Sequence, residues 1–239
     1  MTWSIVAHDP VSGAFAVAIA TRALAVGAHC PFVRSGVGAV ATQSITNRYL
    51  GPAILDLMQR GIAPATAIAS ALTADEGRQL RQVHAVDRHG RAAAFTGGHC
   101  VACCGDRTAA HVSVAGNMLA HESVIADTFE TLAARSDLAL PERLLAAMLA
   151  GERAGGDRRG KQSAALLLTS TEDFADLNLR VDDHCEPLGE LERLLAIWRQ
   201  QWPARANWAP SKANPSGCTD LDLIEAAWQA QGLDLRFRR

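Results

Sequence analysis

Thr2 follows the initiating methionine directly. Behind so small a side chain, removal of Met1 by an aminopeptidase is expected. That removal leaves Thr2 with a hydroxyl and a free α-amine on neighbouring carbons. An unperturbed α-amine has a pKa of about 8, so it can take the proton of its own hydroxyl. An N-terminal threonine thereby carries nucleophile and base on one residue. Many chains begin Met-Thr, and the position gains force only from the residues after it. Trp3-Ser4-Ile5-Val6-Ala7 is a short apolar strand that would hold Thr2 rigidly at the end of a sheet.

Two further stretches carry polar groups in patterns that bind or catalyse. Gly116-Asn117 is expected between a strand and a helix starting near Met118. Backbone N–H groups at a helix start, joined by an Asn amide, would stabilise an oxyanion, though the same pair also makes an ordinary helix cap. Gly155-Gly156-Asp157-Arg158-Arg159-Gly160-Lys161-Gln162-Ser163 reads as a loop entering an apolar strand. Arg158 and Arg159 could hold a substrate carboxylate or phosphate bidentately, and Asp157 could orient the α-amine. A solvated turn is the plainer reading of the same residues. The loop is no phosphate-binding P-loop, because no helix follows the lysine. Thr21, Gln43 and Ser44 fall at strand ends near the same edge. Arg34 precedes the expected third strand and could stabilise an anion.

The remaining reactive side chains are scattered. His99-Cys100-Val101-Ala102-Cys103-Cys104 offers three zinc ligands, but no second pair at matching spacing completes a structural site, so packing cysteines are the simpler reading. His8, His111, His121 and His184 are single. No Gly-x-Ser-x-Gly elbow, His-Glu-x-x-His helix or Gly-x-Gly-x-x-Gly fingerprint occurs.

The elements that must position these groups are set by periodicity and turn chemistry. Trp3–Ala7 and Ala14–Ala20 form a hairpin around Asp9-Pro10-Val11-Ser12-Gly13. Residues 36–43 form a third strand, apolar on both faces and so expected to be covered on both. Helices come next over Tyr49–Arg60 and Pro64–Leu72, then strands over Val83–Val86, Arg91–Phe95 and Val112–Ala115. Further helices cover Met118–Arg135 and Pro141–Ala154, strands cover Ser163–Thr169 and Leu177–Val181, and helices cover Glu186–Gln201 and Leu221–Gln231. Strands arrive in groups and helices in pairs, which speaks against a doubly wound parallel sheet. Two stacked sheets with helix pairs outside, an α+β four-layer αββα sandwich, account for the order. The main domain is expected over residues 1–201. The Pro- and Trp-containing stretch from Trp202 opens a C-terminal extension over 202–239, ending in a basic tail at Arg236–Arg239.

Composition narrows the function classes. Of 239 residues, 49% are hydrophobic and the formal net charge is −2, so no overall charge draws the chain to nucleic acid or an anionic membrane. No apolar run approaches the roughly 18 residues of a membrane span, and the N-terminus lacks the basic start of a signal peptide. A cytoplasmic protein with reduced thiols is the expectation. It needs no cofactor or metal and takes a small-molecule substrate, with an anion favoured by the arginine loop. Self-association is left open.

Several stretches together resemble a bacterial family, domain of unknown function 1028, assigned to the N-terminal-nucleophile hydrolase fold. They are Met1-Thr2-Trp3-Ser4-Ile5-Val6-Ala7, Ala25-Val26-Gly27-Ala28, Gly36-Val37-Gly38-Ala39-Val40-Ala41-Thr42-Gln43, Ala94-Phe95-Thr96-Gly97, Gly116-Asn117-Met118-Leu119, the glycine-arginine loop through Ala164, and Leu179-Arg180-Val181-Asp182-Asp183-His184. The resemblance runs to about Arg199. It implies the αββα sandwich, Thr2 as nucleophile and a Gly- or Asn-bearing turn as oxyanion site. The opening strand is also similar to proteasome-type threonine hydrolases. Those carry a lysine where Arg34 stands here, and a permanently charged arginine cannot shuttle a proton, which argues against peptidase chemistry. The leading expectation is therefore an amidohydrolase cleaving a small amide-type C–N bond. A non-catalytic small-ligand-binding protein of the same fold, and a zinc- or redox-linked protein built on Cys100, Cys103 and Cys104, are the alternatives.

Overall fold

In a computed structural model, residues 2–232 are described, with the backbone alone for 203–205. Ten strands run as β1 Thr2–His8, β2 Phe15–Thr21, β3 Pro31–Arg34, β4 Gly38–Ser44, β5 Arg81–Asp87, β6 Ala92–Thr96, β7 Gly105–Ala109, β8 Val112–Asn117, β9 Ser163–Thr169 and β10 Leu177–Val181. They form two antiparallel sheets. One has the order β10-β9-β2-β1-β8-β7, the other β3-β4-β5-β6.

The hairpin opening the chain is set by its turn. The Asp9 carboxylate accepts from Val11 N at 3.0 Å and Ser12 Oγ at 2.5 Å, and Gly13 takes the left-handed conformation at φ 72°. With one exception at His8, every residue of β1 and β2 is buried, because both faces of the sheet are covered. Val6, Phe15 and Val17 pack between the sheets against Ala39, Ala41 and Val86. The helices α1 Leu50–Gln59 and α2 Pro64–Thr73 cover the outer face of the four-stranded sheet. There Leu50, Ile54, Met58, Ile68 and Leu72 meet Val40, Val83 and Ala85. The helices α3 Ser123–Ala134 and α4 Leu140–Arg153 cover the other sheet. Pro64 and Pro141 open α2 and α4 at the first turn, where the missing N–H costs nothing. Gly151 lets α4 approach the sheet: a Cβ there would collide with Thr128 Oγ1 and the Trp3 indole. The layers are thus α, β, β, α, as expected.

Three sequence expectations need correction. The third strand starts at Gly38, and Pro31–Arg34 is a separate edge strand. Gly105–Ala109 is a strand, mostly exposed, at the edge of the larger sheet. The helix expected from Met118 begins at Ser123. Met118 sits at φ 53°, outside the helical region, and the N–H groups of Met118, Leu119 and Ala120 bond to the carbonyls of Val101, Cys103 and Gly156.

The chain divides into two compact units, one ending at Leu191 and one starting at Glu192. The helix α5 Pro187–Ala206 runs through the division. In the second unit α6 Leu221–Ala230 is capped by Asp220, whose Oδ1 accepts from Asp222 N and Leu223 N. The basic tail Arg236–Arg239 lies outside the described residues. Among the described residues, no helix is long and apolar enough to cross a membrane.

Candidate active site

Strand alternation decides where Thr2 points. Trp3 faces the helices, against Gly151 and Gly156. Thr2 and Ser4 therefore project between the sheets, and Ser4 does so visibly, bonding to Gln43 and His84 of the opposite sheet. Thr2 is 5% exposed. Its Oγ1 lies 3.3 Å from Thr21 Oγ1 on β2, and across β8 it is paired in register with Asn117. Asn117 Nδ2 and Gln43 Nε2 each stand 3.5 Å from the Thr2 carbonyl oxygen, at the long limit of a hydrogen bond.

Behind Thr2 lies a buried polar network whose proton positions can be derived. Gln82 Nε2 faces the carbonyls of Gly116 at 2.8 Å and Gly105 at 3.1 Å. Carbonyls only accept, so this end of the amide is the nitrogen. Gln82 Oε1 must then accept from Gln43 Nε2 at 2.8 Å and Asn117 Nδ2 at 2.9 Å. That turns Gln43 Oε1 toward Ser4 Oγ, which gives it its only proton at 2.7 Å. Ser4 Oγ is left to accept from His84 Nε2–H at 2.7 Å. His84 Nδ1 accepts in turn from Ser113 Oγ at 3.0 Å. The imidazole is neutral, and burial pushes its pKa down to about 3. None of Ser4, Gln82, His84 and Ser113 was singled out from the sequence. The available signal was a polar residue at every second position of otherwise apolar strands, as in Gln82-Val83-His84-Ala85.

Asp157 is buried and anchors the arginine loop. Its carboxylate accepts from Arg22 N at 2.7 Å, Arg159 N at 2.9 Å, and Arg159 Nε and Nη2 at 3.3 and 3.0 Å. Asp157 also bridges to Leu119. Arg22 follows β2 and Leu119 follows β8, the two neighbours of β1, so the loop passes the end of β1 at Thr2. With four bonds the acceptor sites of the carboxylate are filled. Asp157 thus fixes the loop, a correction to its expected part in orienting the α-amine. Arg159 is committed to Asp157. The Arg158 guanidinium forms no ion pair among the described residues and is exposed. Lys161 pairs with Glu152 and Glu186, which raise its pKa.

Other expected positions divide. Thr21 and Gln43 meet Thr2. Ser44, at φ 72°, ends β4 beside them. Gly116 and Asn117 lie inside β8 and not at a helix start, which corrects the expected oxyanion geometry: the N–H groups just beyond them are taken, and the Asn117 amide, which donates to Gln82 Oε1, also faces the Thr2 carbonyl oxygen at 3.5 Å. Arg34 is corrected as well. It pairs in register with Gly38, at the far end of β4 from Gln43, roughly 16 Å away at about 3.3 Å per residue. There it bonds to Asp56 and Gln59. Cys100 is buried, Cys103 half-buried and Cys104 exposed, and among the described residues no group of three or more His, Cys, Asp or Glu could hold a metal.

A model of the family of unknown function DUF1028 matches residues 2–191. The chain belongs to that family. The DUF1028 match ends where the first compact unit ends. A crystal structure of a DUF1028 protein from Silicibacter pomeroyi is 35% identical, covers 92% of this chain and 96% of its own, and superposes with a TM-score of 0.85. Anbu, described as an ancestral beta-subunit, from Yersinia bercovieri is 12% identical over 83% of this chain and 97% of its own, with a TM-score of 0.40. A Gly-1 mutant of Anbu from Hyphomicrobium is 13% identical over 84% and 96%, with a TM-score of 0.39. No curated protein matches the chain.

Proposed function

We propose that this DUF1028 protein is an N-terminal-threonine amidohydrolase. After Met1 is removed, the Thr2 hydroxyl attacks the carbonyl carbon of a small amide while its α-amine takes the proton. The C–N bond breaks, the proton passes from the α-ammonium to the leaving amine, and an acyl ester remains on Thr2. Water, deprotonated by the same α-amine, hydrolyses the ester and restores Thr2. The Asn117 amide is the donor for the oxyanion, Thr21 positions the hydroxyl, and Arg158 meets an anionic substrate group.

One observation carries the reading. Thr2 opens a strand with its hydroxyl turned between the sheets beside the Thr21 hydroxyl, and two side-chain amides stand near its carbonyl oxygen. The test screens small amides, cyclic amides and ureides with three proteins: the processed chain, the chain retaining Met1, and Thr2→Ala. Turnover by the processed chain alone supports the reading, and equal turnover by all three overturns it.

A further inference from the structure

Thr2 itself is buried, but the loops at its end of the sandwich carry exposed apolar side chains. Leu24 is 62% exposed, Ile45 59%, Leu80 37% and Val101 39%. The connectivity brings all four to the same end of the sandwich. Leu24 comes shortly after Thr21, the last residue of β2. Ile45 follows Ser44 at the end of β4, and its N–H bonds to the carbonyl of Leu80, which precedes β5. The Val101 carbonyl accepts from Met118 N, one residue past Asn117 of β8. Thr2 opens β1 between β2 and β8, with β4 and β5 across the intersheet layer.

The dimensions are those of the sheet. Neighbouring strands lie about 4.8 Å apart and stacked sheets about 10 Å apart. Leu24, whose neighbours Ala23 and Ala25 bond to Ser163 of β9 and to Asp182 past β10, lies farther out at the same end. Val101 lies beside Thr2 on the β8 side, and Ile45 with Leu80 faces it across roughly 10 Å. This is the span of a small molecule. Charge is added to the same end. The Arg22 guanidinium bonds to the Gln162 amide oxygen and that of Arg48 to the Ala28 carbonyl, both neutral. Arg158 is carried past the end of β1 by the loop that Asp157 anchors. Among the described residues, none of these three cations pairs with a carboxylate.

Exposed apolar groups at the end of the sandwich that holds a nucleophile favour a substrate that covers them, and unneutralised guanidiniums favour a carboxylate. We infer that the substrate is an N-acyl amino acid, an amide joining an apolar acyl chain to a carboxylate-bearing amine. The inference rests on the amidohydrolase reading. The Thr2 oxygen forms the ester to the acyl carbon, the C–N bond breaks, the amine leaves with the proton held by the α-amine, and water releases the fatty acid. Arg158 is the first contact for the carboxylate, and Ile45, Leu80 and Val101 line the acyl chain.

The test measures binding apart from turnover. Processed Thr2→Ala protein is titrated calorimetrically with N-acetyl-, N-butanoyl- and N-hexanoylglycine and with N-hexanoylglycinamide. Affinity should rise about three- to fourfold per buried methylene. Ile45→Asp and Val101→Asp should flatten that dependence. Arg158→Ala should weaken the acid but leave the glycinamide unchanged. Affinity independent of chain length, or no binding at all, overturns the inference. Light scattering on wild type and Ile45→Asp tests the competing occupant: an oligomer that the substitution dissociates makes this apolar surface a contact between copies and overturns it as well. Chain-length-dependent binding to Thr2→Ala without turnover by processed wild type would sustain the substrate class and sink the nucleophile assignment, so the two fail separately.

Discussion

Lowering the pH should destabilise this protein through one buried imidazole. His84 is fully buried and neutral, with its pKa held at about 3 against an ordinary 6.5. The unfolded chain takes up a proton at about pH 6.5 that the folded chain refuses until about pH 3, so stability is lost as pH falls through that window. The slope approaches about 1.4 kcal/mol per pH unit once the pH is well below 6.5. At pH 5 the loss is about 2 kcal/mol, and at pH 7.5 it is negligible. For a chain of this length that lowers Tm by roughly 4–8 °C. The informative variant is His84→Gln. Its amide can donate to Ser4 and accept from Ser113 but does not titrate. Urea unfolding of both proteins at pH 7.5, 6 and 5 supplies the comparison. His8, also lowered by burial and by its neighbour His111, is present in both proteins, so its contribution cancels in the difference. Asp75, held at about 2 chiefly by its hydrogen bond from Arg81, loses its contribution only as the pH falls below 3.8. The wild type should lose about 2 kcal/mol more than His84→Gln between pH 7.5 and 5. An identical loss in the two would show that His84 is not the buried neutral group derived from the network.

Other substitutions test the geometry behind Thr2. Gln82→Leu removes the acceptor shared by Gln43 and Asn117 and the donor to two carbonyls. With each stranded buried group costing about 1–3 kcal/mol, chemical denaturation should show a loss of several kcal/mol, and a loss under about 1 kcal/mol would refute the network. Asp157→Asn should weaken the loop: limited proteolysis is expected to cut within residues 155–162 in the variant and not in wild type, and equal resistance would contradict the anchoring role.

How much of the fold and site was legible in the sequence depended on how local each cause is. The opening hairpin and the helix starts at Pro64 and Pro141 came from turn residues and periodicity within a few positions. The strands Pro31–Arg34 and Gly105–Ala109 did not, because both are edge strands. The second is polar and mostly exposed, so it carries no apolar alternation to read. The start of α3 was misplaced because Met118 is held in a left-handed conformation among bonds to residues up to 40 positions away, a constraint no local window contains. Of the candidate site, the meeting of Thr2, Thr21, Gln43 and Asn117 was legible, because each falls at a strand end. Arg34 was misread because the extra strand β3 reverses the direction in which the chain leaves it. The committed state of Asp157 and Arg159, against the exposed Arg158, depended on which residue met the Arg22 N–H.

The central claim is that Thr2 is an activated N-terminal nucleophile, and covalent trapping tests it most directly. The processed protein is treated with a β-lactone, whose strained ester acylates an activated hydroxyl, and the adduct is located by peptide mass spectrometry. One acyl group per chain on the Thr2 peptide is predicted, less of it on Thr2→Ser, and none there on Thr2→Ala or on protein retaining Met1. Labelling of the Met1-retaining protein to the same extent, or labelling elsewhere while Thr2 of the processed chain stays unmodified, would contradict the account.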